Sequence, residues 1–208
     1  MSNCDGVVCY EIVSIQNITI RTMRKLGSFT FITLNGCFKG PEEDISWHKH
    51  TVSKEENDYA AEGAQSNSTL LFGRVTYEMM SSYWPTSQAK QQNPTVADGM
   101  NKSQKIVFSR TLKNATWANT TLIKNNLIDE VTKIKNSSGG NLTLLGSGSI
   151  LAQLSEHRLI DEYQFMLDPV AIGNGTPVFS TIKNNLELEL ITTKTFKSGV
   201  ILLSYRPK

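Results

Sequence analysis

Nothing in the 208-residue chain approaches the roughly 18 consecutive apolar residues of a spanning helix, and its N-terminus lacks the basic-then-apolar layout of a secretory signal. Both absences predict a cytoplasmic protein with no membrane partner. Cysteine is scarce: Cys4, Cys9 and Cys37 form an odd set with no C-x-x-C pair, which argues against a disulfide framework or a zinc-thiolate site and leaves reduced thiols. Histidine is equally thin. His48 and His50 stand close together, only His157 lies elsewhere, and no carboxylate sits at a recognisable ligand spacing, so no metal is expected. Charge of one sign is also missing: 21 basic against 19 acidic residues give a net +2 with no Lys/Arg run, which disfavours nucleic acid as a partner. Internal repeats and linkers are absent, so one globular domain is predicted.

What is present is an alternation of strand and helix signals from Met23 onward. Residues 1–22 carry two of the cysteines and no clear period; they are expected to be a dispensable extension or a misplaced start, the alternative being a genuine strand through CYEIVSI. The N-x-S/T triplets, such as those at Asn114, Asn119 and Asn141, follow from an Asn- and Thr-rich composition and carry little weight without a signal peptide. Within 23–208, strands are predicted at Lys25 to Leu34, Thr69 to Phe72, Lys105 to Ser109, Thr120 to Ile123 and Leu142 to Leu145. Helices are predicted at Lys54 to Gln65, Thr76 to Ser82, Leu127 to Asn136 and Ser149 to Glu156. The end of the chain, Glu162 to Leu167, Leu186 to Thr195 and Gly199 to Arg206, reads as strands with little helix between them. The pattern implies an α/β domain whose mixed, mostly parallel sheet has an antiparallel C-terminal edge and helices on both faces.

Three predicted strands end in phosphate-friendly chemistry. TLLF is followed by Gly73, Arg74 and Thr76, KIVF by Ser109 and Arg110, and LTLL by Gly146, Ser147, Gly148 and Ser149. A strand that turns through small residues into a helix presents unpaired N–H groups backed by the helix dipole. The elbow falls short of a full dinucleotide fingerprint, because Leu151 stands where a third glycine is expected; by itself it reads equally as a tight turn without a ligand. Each arginine alone reads equally as a surface ion pair. Together the three strand ends match a dinucleotide with an additional phosphate, which guanidinium groups bind in a bidentate way.

FGRVTYE, VFSR, LLGSGSI, LIDEY and PVAIGNGTPVF resemble, in order and spacing from about Met23 to the C-terminus, the dihydrofolate reductase-like superfamily. The similarity is to the branch that contains the C-terminal reductase domain of the bifunctional riboflavin-biosynthesis deaminase-reductase (RibD). The resemblance implies a dihydrofolate-reductase-like three-layer fold and hydride transfer from NADPH to a pteridine- or pyrimidine-like heterocycle. It also implies homodimerisation through the terminal strands. Gly73, Arg74, Thr76, Ser109, Arg110 and Gly146, Ser147, Gly148, Ser149 and Ile150 take the family's cofactor-binding positions, with Arg74 and Arg110 at the 2'-phosphate. Two alternatives stand beside this reading: a 5-amino-6-(5-phosphoribosylamino)uracil reductase of riboflavin biosynthesis, and a non-catalytic NADPH-binding protein.

The substrate residues implied by the resemblance are Asn35, Ser46 and Trp47, in the loop after the first strand. Trp47, flat and apolar with one donor, suits a heterocycle; a tryptophan packed within its loop is the alternative. Riboflavin reductases carry a glutamate two residues before the elbow's first glycine, where this chain has Leu144, and that departure predicts weak activity on the aminouracil phosphate. Dihydrofolate reductases place an acid on the helix before the G-R-x-T strand; here Glu55, Asp58 and Glu62 share one face of that helix, and by this resemblance Asp58, at nearly the family's separation from Gly73, is the candidate proton donor. The competing reading is a solvated charged face.

Overall fold

The structure, a computed structural model, describes residues 23–48 and 53–208. The expected extension 1–22, with the strand alternative through CYEIVSI, and His50 lie outside the described residues.

The chain runs through β1 (Leu26–Thr33), β2 (Cys37–Lys39), α1 (Lys54–Ala64), β3 (Thr69–Gly73) and α2 (Arg74–Tyr83). It continues through α3 (Ser87–Gln92), α4 (Pro94–Lys102), β4 (Lys105–Phe108), β5 (Thr120–Ile123), α5 (Leu127–Lys135), β6 (Leu142–Leu145) and α6 (Gly148–Glu156). It closes with β7 (Glu162–Asp168), β8 (Thr176–Pro177), β9 (Leu188–Thr195) and β10 (Ile201–Pro207). The main sheet has eight strands in the order β5-β4-β3-β6-β1-β7-β10-β9, and β2 pairs with β8 in a separate two-stranded ladder. β5 to β7 run parallel to one another, and β10 runs antiparallel to both of its neighbours, so the mixed sheet with an antiparallel C-terminal edge is as expected.

Strand parity decides what each face carries. Leu26 of β1, Leu71 of β3, and Leu142 and Leu144 of β6 are buried against Val131 of α5 and Ile150, Leu151 and Leu154 of α6. On the other face Leu70, Phe72 and Val107 pack with Tyr77 of α2, Met100 of α4 and Trp117. Further along that face, Phe29 and Phe31 of β1 join Met166, Leu202 and Tyr59 of α1. The result is three layers.

Several elements lie outside the sequence expectation. α3 and α4 were not predicted, because only Ala89, Ala97 and Met100 form their buried stripe and Pro94 interrupts it. Their signals were nevertheless present: Thr86 caps α3 through Ala89 N–H, and Pro94 stands at the start of α4, where its missing N–H costs nothing. β2 and β8, at three and two residues, are too short to show a period. α2 also begins at Arg74, two residues before the predicted Thr76.

Candidate active site at the carboxyl ends of the strands

β4, β3 and β6 are adjacent in the sheet, so the three polar strand ends meet. They line a cleft of about 830 Å³, with Gly73, Arg74 and Thr76 from one end, Ser109 and Arg110 from the next, and Ser147, Gly148, Ser149 and Ile150 from the third. Gly146 stands behind these residues, in the left-handed turn (φ 58°), and its N–H donates to Phe29 O at 3.0 Å.

The local geometry joins two helix starts. Ser147, also left-handed (φ 59°), is the N-cap of α6, but its hydroxyl does not cap its own helix. It accepts Gly73 N–H at 2.6 Å and lies 3.1 Å from Thr76 Oγ1. Only glycine fits at the two closest approaches: a Cβ at Gly73 would stand 2.6 Å from Ser147 Oγ, and one at Gly148 would stand 2.5 Å from the Phe38 ring. The N-termini of α2 and α6 have no side-chain cap. A third uncapped N-terminus, that of α5, brings Asn126 and Leu127 to the same cleft, with Lys124 just before it. Three positive helix ends and the cationic side chains of Arg74, Arg110, Lys124 and Lys39 therefore line one volume, Lys39 being paired with Glu43 of the same lining, an arrangement suited to a polyanion. Sequence reasoning missed the α5 contribution, although the Asn125-Asn126 turn before an amphipathic run was its visible signal. It also missed Phe38 and Thr176, Pro177, Val178, Ser180 and Thr181, which stand along the cleft on and after the small β2–β8 ladder.

Individual residues carry other duties. Arg74 is half-exposed and paired with Glu78 at 2.8 Å, one turn on in α2. Ser109 Oγ accepts the N–H groups of Thr111 and Leu112 at 3.2 and 2.9 Å, so it shapes the turn that carries Arg110. Asn35 braces two loops: its Oδ1 accepts from Thr33 Oγ1 at 2.7 Å, and its amide donates to Ile172 O at 2.9 Å. Ser46 closes a turn on Asp44, through its N–H at 2.9 Å and its hydroxyl at 3.1 Å, and these bonds hold the Asp44 carboxyl below its ordinary value.

Trp47 follows directly. Its indole N–H is buried without an acceptor among the described residues. Its ring stands edge-on to His48, with centroids 6.2 Å apart, and His48 in turn lies against Phe31 at 3.8 Å. His48 Nδ1 contacts the Asp168 carboxylate at 3.0 Å; the two side chains are 12% and 8% exposed, and Asp168 ends β7 beside Thr33 of β1.

Of the acidic helix face, Asp58 is 57% exposed and bound to Lys54 at 2.7 Å, and Glu62 is exposed, which matches a solvated face. The buried carboxylate of α1 is Glu56, occupied by the Ser53 N–H at 3.1 Å and by the Ser198 hydroxyl. Tyr59 on the same helix donates to Gln164 of β7 at 3.0 Å, and burial pushes its phenol above the ordinary value. The reasoning from Leu144 requires correction. Its side chain is fully buried under α6 on the face opposite Phe31, because β6 alternates, so its difference from a glutamate cannot report on a ring bound beside Trp47.

Comparison with known proteins agrees with this architecture. The profile of the RibD C-terminal domain matches residues 24–202. The uncharacterized protein YyaP of Bacillus subtilis (strain 168) is 27% identical over 84% of this chain and 90% of its own length. Two solved structures share the fold. A pyrimidine reductase-like protein from Corynebacterium diphtheriae has a TM-score of 0.61 and 12% identity over 89% of this chain and 92% of its own. Dihydrofolate reductase from Enterococcus faecalis, complexed with NADP(H) and RAB-propyl, has a TM-score of 0.58 and 17% identity over 88% and 96%. With its eight-stranded mixed sheet, its elbow and its matched span, the chain belongs to the RibD C-terminal domain family, a reductase family of dihydrofolate reductase-like fold.

Proposed function

We propose that the protein is an NADPH-dependent reductase that transfers a hydride to a pteridine- or pyrimidine-like heterocycle. The observation that carries this reading is the convergence of three uncapped helix N-termini with Arg74, Arg110 and Lys124 on one cleft. The residues present fit a dinucleotide. The α6 end, with Gly146 and the amides of Gly148 and Ser149, suits the pyrophosphate, and Gly73 and Gly148 leave no room for a Cβ where the backbone segments and Phe38 close in. Thr76 and Ser147 hold the two strand ends in register, and Ile150 anchors the start of α6 in the core. Ser109 presents Arg110, and Arg74 and Arg110 act on the 2'-phosphate.

When bound, the reduced nicotinamide supplies the hydride; the protein orients the reactants and excludes water. On the substrate side Trp47 covers the heterocycle, while Asn35 and Ser46 hold the loop that carries it.

Cofactor selectivity tests the reading. Arg74 must exchange Glu78 for a phosphate, and an exposed ion pair is worth only about 0–1 kcal/mol against roughly 1.5–3 kcal/mol for a charge-assisted phosphate bond. Arg74→Ala is expected to weaken NADPH by about 10- to 100-fold and to leave NADH nearly unchanged in a fluorescence titration. Equal loss for both cofactors would overturn the assignment. Turnover of the ribosylaminouracil phosphate in place of a pteridine would identify a riboflavin-pathway enzyme, and tight NADPH binding without oxidation by either would identify a binding protein.

A further inference from the structure

We infer that Lys39 is the cation for the cofactor's pyrophosphate and that Glu43 is the counter-ion it exchanges for the dinucleotide; this rests on the dinucleotide reading above. The two side chains pair with each other, and both line the cleft. They belong to β2 and the turn after it, not to the three strand ends that form the other wall.

Position separates Lys39 from the other cations. Arg110 and Lys124 follow β4 and β5, and strands are spaced about 4.8 Å apart, so these two stand roughly 10 and 14 Å across the sheet from the elbow that follows β6. Arg74 starts nearer, through the Gly73 bond to Ser147, but its partner Glu78 lies outside the lining. Lys39 is attached to the residue that touches the elbow itself. Phe38 rests so closely on Gly148 that a Cβ there would meet its ring at 2.5 Å, and the Lys39 ammonium folds back to 5.5 Å from the centre of that ring. A pyrophosphate on the Gly148 and Ser149 amides therefore lies beside the same aromatic ring, where an ammonium on a flexible four-carbon stem can meet it.

Glu43 is a second and separate observation. It places a carboxylate in the lining of a cleft that three helix N-termini and four cationic side chains otherwise suit to a polyanion, so its charge opposes the ligand. The turn that delivers it is unusual. Glu42 and Glu43 both hold left-handed backbone, with φ of 55° and 64°, which glutamate rarely adopts, and Gly40 N–H closes the turn on Asp44 O at 2.7 Å. Backbone of this kind persists where the surrounding structure imposes it, and it gathers at ligand clamps. The pair is also made to exchange: its side chains are 23% and 48% exposed, so solvent weakens it, whereas an ammonium bound to phosphate makes a charge-assisted hydrogen bond.

The test uses the full chain and fluorescence titrations of NADPH and NADH, which share the pyrophosphate and differ at the 2'-phosphate. Lys39→Met is expected to weaken both cofactors by the same factor, about 10-fold, whereas a residue at the 2'-phosphate acts on NADPH alone. Glu43→Gln is expected to tighten both by about 2- to 5-fold, because it releases Lys39 and removes a like charge from the path of the ligand. The opposite signs are decisive. A pair that merely braced the turn after β2 would give losses in both variants. Lys39→Arg, which keeps the charge, is expected to hold both cofactors within about threefold of the parent, and so separates loss of charge from loss of fold. The inference is overturned if the Met and Gln variants change affinity in the same direction, if either leaves both cofactors unchanged, if Lys39→Met acts on NADPH alone, or if Lys39→Arg binds as weakly as Lys39→Met. If the parent chain binds neither dinucleotide, the cofactor reading itself has failed, and the inference falls with it.

Discussion

At the scale of single residues, the candidate site is defined by close approaches rather than by an abundance of polar groups. Gly148 illustrates this, because a Cβ there would meet the Phe38 ring at 2.5 to 2.6 Å. Phe38 belongs to the short β2 strand, so a methyl group at Gly148 acts on the ladder that borders the cleft as well as on the elbow. Gly148→Ala is expected to weaken NADPH at least 10-fold and to lower stability by about 1–3 kcal/mol, the usual cost of overpacking. Phe38→Ala in the same chain should restore part of both losses, since the obstruction is a side chain. Purely additive losses in the double variant would show that the two residues do not collide. Glycines and arginines of this kind were legible in the sequence, because a strand followed by G-R-x-T or G-S-G-S has few physical uses. His48 and Asp168 were not: 120 residues separate them, and only the parallel pairing of β1 with β7 brings them together.

At the scale of elements, Lys105 shows how a helix end is fastened to the sheet. Its side chain, at the start of β4, is 1% exposed. Its ammonium donates to Met100 O, Asn101 O and Ser103 O at 2.8, 3.2 and 2.6 Å, the carbonyls that α4 leaves without partners at its C-terminus. It also lies 4.6 Å from the centre of the Trp117 ring. Lys105→Met leaves Met100 O and Ser103 O unpaired, Asn101 O keeping the Asn119 amide, and should cost about 2–3 kcal/mol, a Tm decrease of about 5–10 °C for a chain of this size. Burial lowers the Lys105 pKa from 10.5 to about 8, so between those values the unfolded chain binds the proton that the folded chain has released. This group's contribution to stability therefore rises with pH across that window, and the Met variant should lack the rise in urea titrations. A parallel pH slope in both proteins would sink this account. The elements with a strong period, such as β1, α1 and α6, were legible with boundaries within a residue or two. α3 and α4 were not, because their buried stripe is made of Ala89, Ala97 and Met100 and their stability comes from contacts such as this lysine.

At the scale of the whole molecule, the eight-stranded sheet ends in two different ways. β5, at one edge, has four residues, whereas β9, at the other, has eight and presents Leu190 and Ile191 at 51% and 49% exposure. The β9–β10 register shifts between Ser204 and Tyr205, which leaves Ile191 at an irregularity beside Leu190, and both apolar side chains are exposed among the described residues. An edge of that length, roughly 27 Å at 3.4 Å per residue, is a template for pairing, although the irregularity at Ile191 and the Glu189–Arg206 ion pair interrupt its first half. Lys194 does not protect it, since its ammonium turns back over the Phe196 and Tyr59 rings at 5.0 and 5.7 Å. A second copy of the chain is the proposed cover, with the two β9 edges related by a twofold axis so that the same apolar residues meet. A stable dimer of this kind needs about 1,200–2,000 Å² of buried surface, more than one strand provides, so the faces of β9 and β10 must contribute as well. Ile191→Lys is then expected to convert a dimer into a monomer in sedimentation velocity. The cleft lies at the carboxyl ends of β3, β4 and β6, three to five strands from β10, so the same variant should bind NADPH as the parent does. A parent chain that sediments as a monomer at about 100 μM, where even a weak interface with a Kd near 10 μM would be mostly associated, would end this proposal.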